Sequence, residues 1–222
     1  MNYNVPLRYH LLVYRREQLW LPAGLWGLFA ILIVINSSTE NLPTLAGGFL
    51  GMVLPLMAGI LGTSAIVDDP ALELHLASPR RPWQTLLERE AIVLGIVAVG
   101  ALAFQVFLGA AGVSVAHLGN LVEVQLVWLM PSLVTMALAG LIALGFAQGM
   151  VGVLGAGVLW VGQFFFRDWF LETPWAHQWF LFMGQLWPTC PNLAANRLSL
   201  LALAVLFTFL SAMLLKKEER YL

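Results

Sequence analysis

The chain has 222 residues, 60% of them hydrophobic and only 10% charged, with a net charge of −1 and a mean hydropathy of +0.83. Soluble globular domains carry about 25% charged and about 45–50% apolar residues, and a fold of this size leaves too much surface to hide such an excess from water. The composition excludes a soluble enzyme and a disordered chain, and the near-neutral charge offers no field for nucleic acid. The single cysteine, Cys190, cannot close an intrachain disulfide. The chain reads as an all-α integral membrane protein whose first partner is membrane lipid.

A spanning helix needs about 20 mostly apolar residues to cross about 30 Å of hydrocarbon. Six stretches qualify, at 19–36, 45–67, 91–112, 124–146, 150–166 and 198–215. Only Ala147, Gln148 and Gly149 separate the fourth from the fifth, which predicts a tight helical hairpin. Cationic residues resist translocation. With both termini in the cytoplasm, Arg8, Arg15, Arg16, Arg80, Arg81, Arg89, Lys216, Lys217 and Arg220 lie inside, and only Arg167 and Arg197 lie outside. Residues 2–18 place Leu7, Leu11 and Tyr14 at helical spacing, with arginines elsewhere on the wheel, the pattern of an amphipathic helix in the headgroup plane. No small-residue cleavage site follows the first apolar run, so no cleaved signal peptide is expected. Residues 1–222 read as one transmembrane domain.

The apolar stretches are almost free of ionisable groups, Glu123 falling at a span edge. Charges kept inside a membrane usually mark ion pathways, so this pattern argues against a proton- or sodium-coupled transporter. Gln105 and Gln163 are the polar exceptions, expected to hydrogen-bond to neighbouring helices. His10, His75, His117 and His177 are scattered, with no metal-binding pair. The sequence Gly62-Thr63-Ser64 lacks the closing glycine of a nucleophile elbow. With Lys216 and Lys217 as the only lysines, a lysine-bearing phosphate loop cannot be built. No catalytic or metal-ligating residue is assigned, and no cofactor is expected on this chain. Gly149, Gly152, Gly155, Gly157 and Gly162 in the fifth stretch, and Gly47, Gly51, Gly59 and Gly62 in the second, predict close helix packing away from lipid. That packing could serve either within one chain or between copies.

The loop after the second stretch reads Asp68-Asp69-Pro70-Ala71-Leu72-Glu73-Leu74-His75-Leu76-Ala77-Ser78-Pro79-Arg80-Arg81. Asp69 is a good cap and Pro70 a good first helical residue, while Pro79 stops the helix after about two turns. A further helical stretch, 83–90, leads into the third span. The run from Leu72 to Arg81, followed by Leu86-Leu87-Glu88-Arg89, resembles the corresponding loop of ABC-2 type transporter permeases. The resemblance implies six transmembrane helices with an amphipathic amino-terminal helix, a cytoplasmic coupling helix, and an outer re-entrant or interfacial helical pair between helices 5 and 6. It further implies a plasma or inner membrane location, and pairing with a second permease subunit and a separate ABC ATPase subunit. ATP and Mg would sit on that ATPase. Asp69, Leu72, Glu73, His75, Leu76, Ser78, Arg80 and Arg81 would form the ATPase interface. The expected function is export of a hydrophobic or amphipathic substrate such as a peptide, drug or lipid. The alternative is a non-transporting scaffold subunit of a larger membrane complex.

Residues 167–197 hold four of the nine tryptophans, Trp169, Trp175, Trp179 and Trp187. Trp175, Trp179, Phe182 and Leu186 follow helical spacing. Such a segment suits an aromatic belt at the membrane surface. It also suits an outer gate, for which Arg167, Asp168, Trp175 and Trp179 are the candidate residues.

Overall fold

The computed structural model describes residues 16–36, 41–64 and 82–215, and every regular element among them is helical. The amphipathic segment through Arg15, the loop with the expected coupling helix (Asp69 to Arg81) and the cations after Leu215 lie outside the described residues. Helix α1 is Arg16–Ile35. Helix α2 runs Leu42–Gly48, passes through a π-helical turn at Phe49–Val53, and continues as Leu54–Ser64. Then come α3 (Pro82–Ala110), α4 (Leu121–Phe146) and α5 (Gly149–Phe165). The short α6 (Arg167–Glu172), a 3-10 turn (Ala176–Trp179) and α7 (Met183–Leu186) precede α8 (Leu193–Leu214).

Among the described residues all six apolar stretches are largely helical, but four helices are long and apolar enough to cross a membrane: Leu42–Thr63, Trp83–Ala110, Leu121–Phe146 and Leu193–Leu214. The apolar runs Trp20–Ile35 and Gly149–Phe165 fall in a shorter class of 10–17 residues. At about 1.5 Å per residue, 17 residues rise about 25 Å, less than the roughly 30 Å of hydrocarbon. The third helix differs from its expected bounds in the other direction. It starts at Pro82, one continuous helix with the stretch leading into it, and so carries Glu88, Arg89 and Glu90 inside the candidate span.

Helix α4 is the centre, packed against α2, α5 and α8. It is apolar all round, as a helix enclosed by others must be. A capping box starts it. The Asn120 side chain accepts from the Val122 and Glu123 amides, and Glu123 Oε2 accepts from the Asn120 amide at 2.7 Å. The expected hairpin to α5 closes through Ala147, at φ 52°. The Gln148 amide donates to the Ala143 carbonyl and the Ala147 amide to that of Leu144, the bond pair that ends a helix on a left-handed residue.

Pro55 and Pro131 lie inside helices. Pro55 has no N–H to give, and the π turn just before it shifts the bonding, with the Leu54 amide reaching the Phe49 carbonyl. Trp160 of α5 donates its indole N–H to the Met52 carbonyl at 2.8 Å. The Thr135 hydroxyl lies 2.6 Å from the Pro55 carbonyl oxygen and 3.0 Å from that of Pro131. In hydrocarbon, a break in a helix is tolerated where neighbouring helices, side chains or a local π adjustment take up the freed backbone groups, and the π turn before Pro55 is such an adjustment.

Small residues set the spacing of α2, α4 and α5. A Cβ on Gly152 would lie 2.6 Å from both the Ala139 carbonyl oxygen and Thr63 Cγ2, and one on Gly62 would lie 3.0 Å from the Met136 carbonyl oxygen. Gly157 and Gly162 face open space, whereas Gly47, Gly51, Gly59, Gly62, Gly152 and Gly155 serve packing within the chain. They shield α2 on its inner faces, but α5 is not withdrawn from its surroundings as expected. Its other face exposes Leu154, Val158 and Phe165, because a glycine stripe covers only one side of a helix. Exposed Val99 and Val106 on α3, and Val205 and Phe209 on α8, complete an apolar exterior that lipid accepts and water would not. The chain is an integral membrane protein.

Gln105 of α3 and Gln125 of α4 exchange amide hydrogen bonds at 3.2 and 2.8 Å, and Trp128 donates to the same Gln125 oxygen. Gln105 thus joins two helices as expected. Phe29, Phe49, Phe104 and Trp26 form an aromatic cluster that seats α1 against α2 and α3.

Gly152→Ala forces carbonyl and methyl groups apart and should destabilise the bundle by about 1–3 kcal/mol. Gly157→Ala, with nothing within 4 Å, should be neutral or stabilising by up to about 1 kcal/mol. Thermal unfolding of the two variants in one detergent checks the contrast.

Candidate functional site

Between α5 and α8 the chain leaves regular helix and folds back into the bundle. The expected helix through Trp175, Trp179, Phe182 and Leu186 does not form as one piece. A 3-10 turn ends at Trp179, Phe180 is extended, and α7 has only four residues. The reason is that this stretch buries more than one face. Phe180, Phe182 and Met183 are fully enclosed and Leu181 nearly so, more than a one-sided interfacial helix can hide. They form a second core with Val134, Cys190, Leu193 and Leu200. Ahead of α8, Gly184 and Gln185 reach α4 and α2: a Cβ on Gly51 would come within 2.6 Å of Gln185 Cβ, and one on Gly184 within 3.3 Å of Val127.

Breaking a helix exposes backbone polar groups, and two buried amide side chains take them up. Asn196, in the first turns of α8, donates through Nδ2 to the carbonyls of His177 (2.7 Å) and Phe180 (2.9 Å). Gln163, near the end of α5, accepts from the Leu181 amide at 3.0 Å and donates to the Trp179 carbonyl at 3.4 Å. His177 is also buried. Its Nε2 lies 3.1 Å from the Leu171 carbonyl, which can only accept, so Nε2 carries the proton. Its Nδ1 faces Asn192 Nδ2 at 3.5 Å and Cys190 Sγ at 3.9 Å.

The tryptophans lie on the opposite side of this segment. Trp169, Trp175, Trp179 and Trp187 are all exposed, while the phenylalanines at 180 and 182 point inward. The division follows chemistry, since an indole gains from keeping its N–H near polar surroundings and a phenyl ring does not. Of the four candidate gate residues, Arg167 and Asp168 form an exposed ion pair at 3.3 Å. The Arg167 guanidinium stands 5.8 Å from the centre of the Phe164 ring. Trp175 packs edge-on against Trp169 at 5.5 Å, while Trp179 contributes its carbonyl to Gln163. An apolar recess of about 540 Å³ opens between α5 and α6, lined by Val158, Leu159, Gln163, Phe166, Trp169 and Phe170. Trp175 therefore touches one wall of the recess through Trp169.

The recess presents an almost wholly apolar lining. Both ends of the Gln163 amide are engaged, and no group of three metal-ligating side chains occurs among the described residues. Gln163 was visible in the sequence as a polar residue in an apolar run, although its partner is the folded-back backbone and not another spanning helix. Asn196 and the structural role of His177 were missed. An asparagine beside the first residues of an apolar helix gives the only sequence signal, and it does not say which carbonyls it meets.

No family model, no curated protein and no solved structure matches this chain.

Asn196→Ala leaves the His177 and Phe180 carbonyls without their donor, at a cost of about 1–3 kcal/mol. The variant should unfold at lower temperature, and Cys190, buried in the wild type, should react with a maleimide markedly faster. Labelling rates of the single thiol measure this directly.

Proposed function

We propose that this protein is the membrane-spanning permease subunit of an ATP-driven exporter for hydrophobic or amphipathic molecules. The observation that carries the reading is the segment between α5 and α8. It folds back into one end of the bundle and is held there by Gln163 and Asn196, in the chain position that the resemblance to ABC-2 permeases implies. The apolar recess beside it and the loop sequence from Asp69 to Arg81 support the same reading.

In this proposal all six apolar helices cross the membrane, with the shorter α1 and α5 completed at their ends by neighbouring segments. Both termini are cytoplasmic, which puts nine of the eleven cations inside. A second permease subunit completes the pathway. Each subunit rests on an ATPase through the helix at 70–78, with Asp69, Leu72, Glu73, His75, Leu76, Ser78, Arg80 and Arg81 at the contact. Closure of the ATPase pair moves these helices and shifts the spans between two states. A ligand can bias that equilibrium only by binding the two states differently. Arg167, Asp168, Trp175 and Trp179 form the rim through which substrate leaves.

Affinity purification of the full chain should bring down an ATPase subunit. Glu73→Lys and Leu76→Asp should retain ATP turnover in the assembly but lower transport by at least about tenfold, the effect of losing about 1.4 kcal/mol of coupling. Full assembly and transport in both variants would refute the coupling assignment. Recovery of the chain with a stable complex that has no ATPase would favour the scaffold reading.

A further inference from the structure

A second recess lies at the opposite end of the bundle from the folded-back segment, where α3 begins and α8 ends. It encloses about 510 Å³, within the range of drug-sized ligand sites, and its walls include Trp83, Leu87, Leu133, Val205 and Phe209. Two polar groups face this apolar space, Glu90 of α3 and Thr208 of α8. The Thr208 hydroxyl sits 3.2 Å from each oxygen of the Glu90 carboxylate. One hydroxyl supplies one proton, whereas an ionised carboxylate offers about four acceptor positions. Among the described residues, no cation forms an ion pair with Glu90. A carboxylate that faces an apolar recess with one hydroxyl donor has acceptor positions left for a ligand.

The position of Glu90 along its helix fits a particular kind of ligand. It precedes Ala110, the end of α3, by a helical rise of roughly 30 Å, the thickness of the hydrocarbon layer. With the Ala110 end at one boundary of the hydrocarbon, Glu90 stands at the other. An amphiphile lying in a bilayer keeps its charged head at that depth and its tail in the hydrocarbon. We infer that the recess between α3 and α8 binds a single-chain amphiphilic amine, its ammonium donating to Glu90 and its apolar body lying along Leu87, Val205 and Phe209. Charge complementarity selects a cation over a neutral or anionic amphiphile, and the volume selects one chain over a two-chain phospholipid. The inference does not depend on an ATPase or on export, since binding alone is claimed.

The test uses the full chain in phosphatidylcholine nanodiscs, with empty nanodiscs as the baseline for partitioning. The probes are radiolabelled dodecylamine and dodecanol, which share a chain and differ in charge. Wild type should bind dodecylamine saturably, one per chain, and dodecanol at least about tenfold more weakly, the value of one charge-assisted hydrogen bond. Glu90→Gln should remove that preference. Val205→Trp, on an exposed position of α8, should fill the recess and weaken amine binding without disturbing the core. It therefore tests the site even where Glu90→Gln does not fold. Equal binding of the two probes by wild type, no saturable binding, or amine binding undiminished in Val205→Trp would each overturn the inference.

Discussion

Hydrocarbon offers no hydrogen-bond partner, so each backbone N–H and C=O must find one inside the protein. The architecture turns on how the chain meets that demand where its helices break. Before Pro55 a π turn shifts the bonding, and Trp160 donates to the Met52 carbonyl within it. Between α5 and α8 the break is much longer, and Gln163 and Asn196 answer it with two hydrogen bonds each. These two amides let Phe180, Leu181, Phe182 and Met183 enter the bundle in a non-helical path. Loss of either donor set leaves carbonyls of this path without a partner and weakens the second core.

Packing follows from the same absence of water. There is no hydrophobic force between helices surrounded by lipid, so contact must come from close fit and polar links. Gly62 and Gly152 bring α2 and α5 onto α4 at distances a methyl group would prevent. The Gln105–Gln125 pair links α3 to α4, and aromatic rings seat α1 on the rest. Helix α4, enclosed on three sides, is the common partner.

The two recesses stand at opposite ends of this frame and differ in chemistry. The one beside α6 is apolar, with an amide already committed to the backbone and a rim of exposed tryptophans. The one between α3 and α8 holds a carboxylate that a single hydroxyl cannot satisfy. A protein proposed to move amphiphiles has use for both kinds of surface, one for a charged head and one for apolar passage. Each of them stands on its own residues.

Composition and apolar run length are local properties, and they determined the membrane character, the six helical stretches and the hairpin at Ala147. They also showed that Gln105 and Gln163 would need partners, because a lone amide in an apolar run always does. Glu90 was left out because hydropathy falls across Glu88, Arg89 and Glu90, whereas the helix continues through them. The tryptophan-rich segment read as a re-entrant or interfacial helical pair, and its spacing alone did not say which. Only the tertiary structure showed that the segment turns inward, since burial on several sides and carbonyls met by Asn196 depend on residues distant in sequence. The same holds for Thr208 opposite Glu90, separated along the chain by 118 positions. Periodicity records which way a residue faces on its own helix. What it faces is decided by packing.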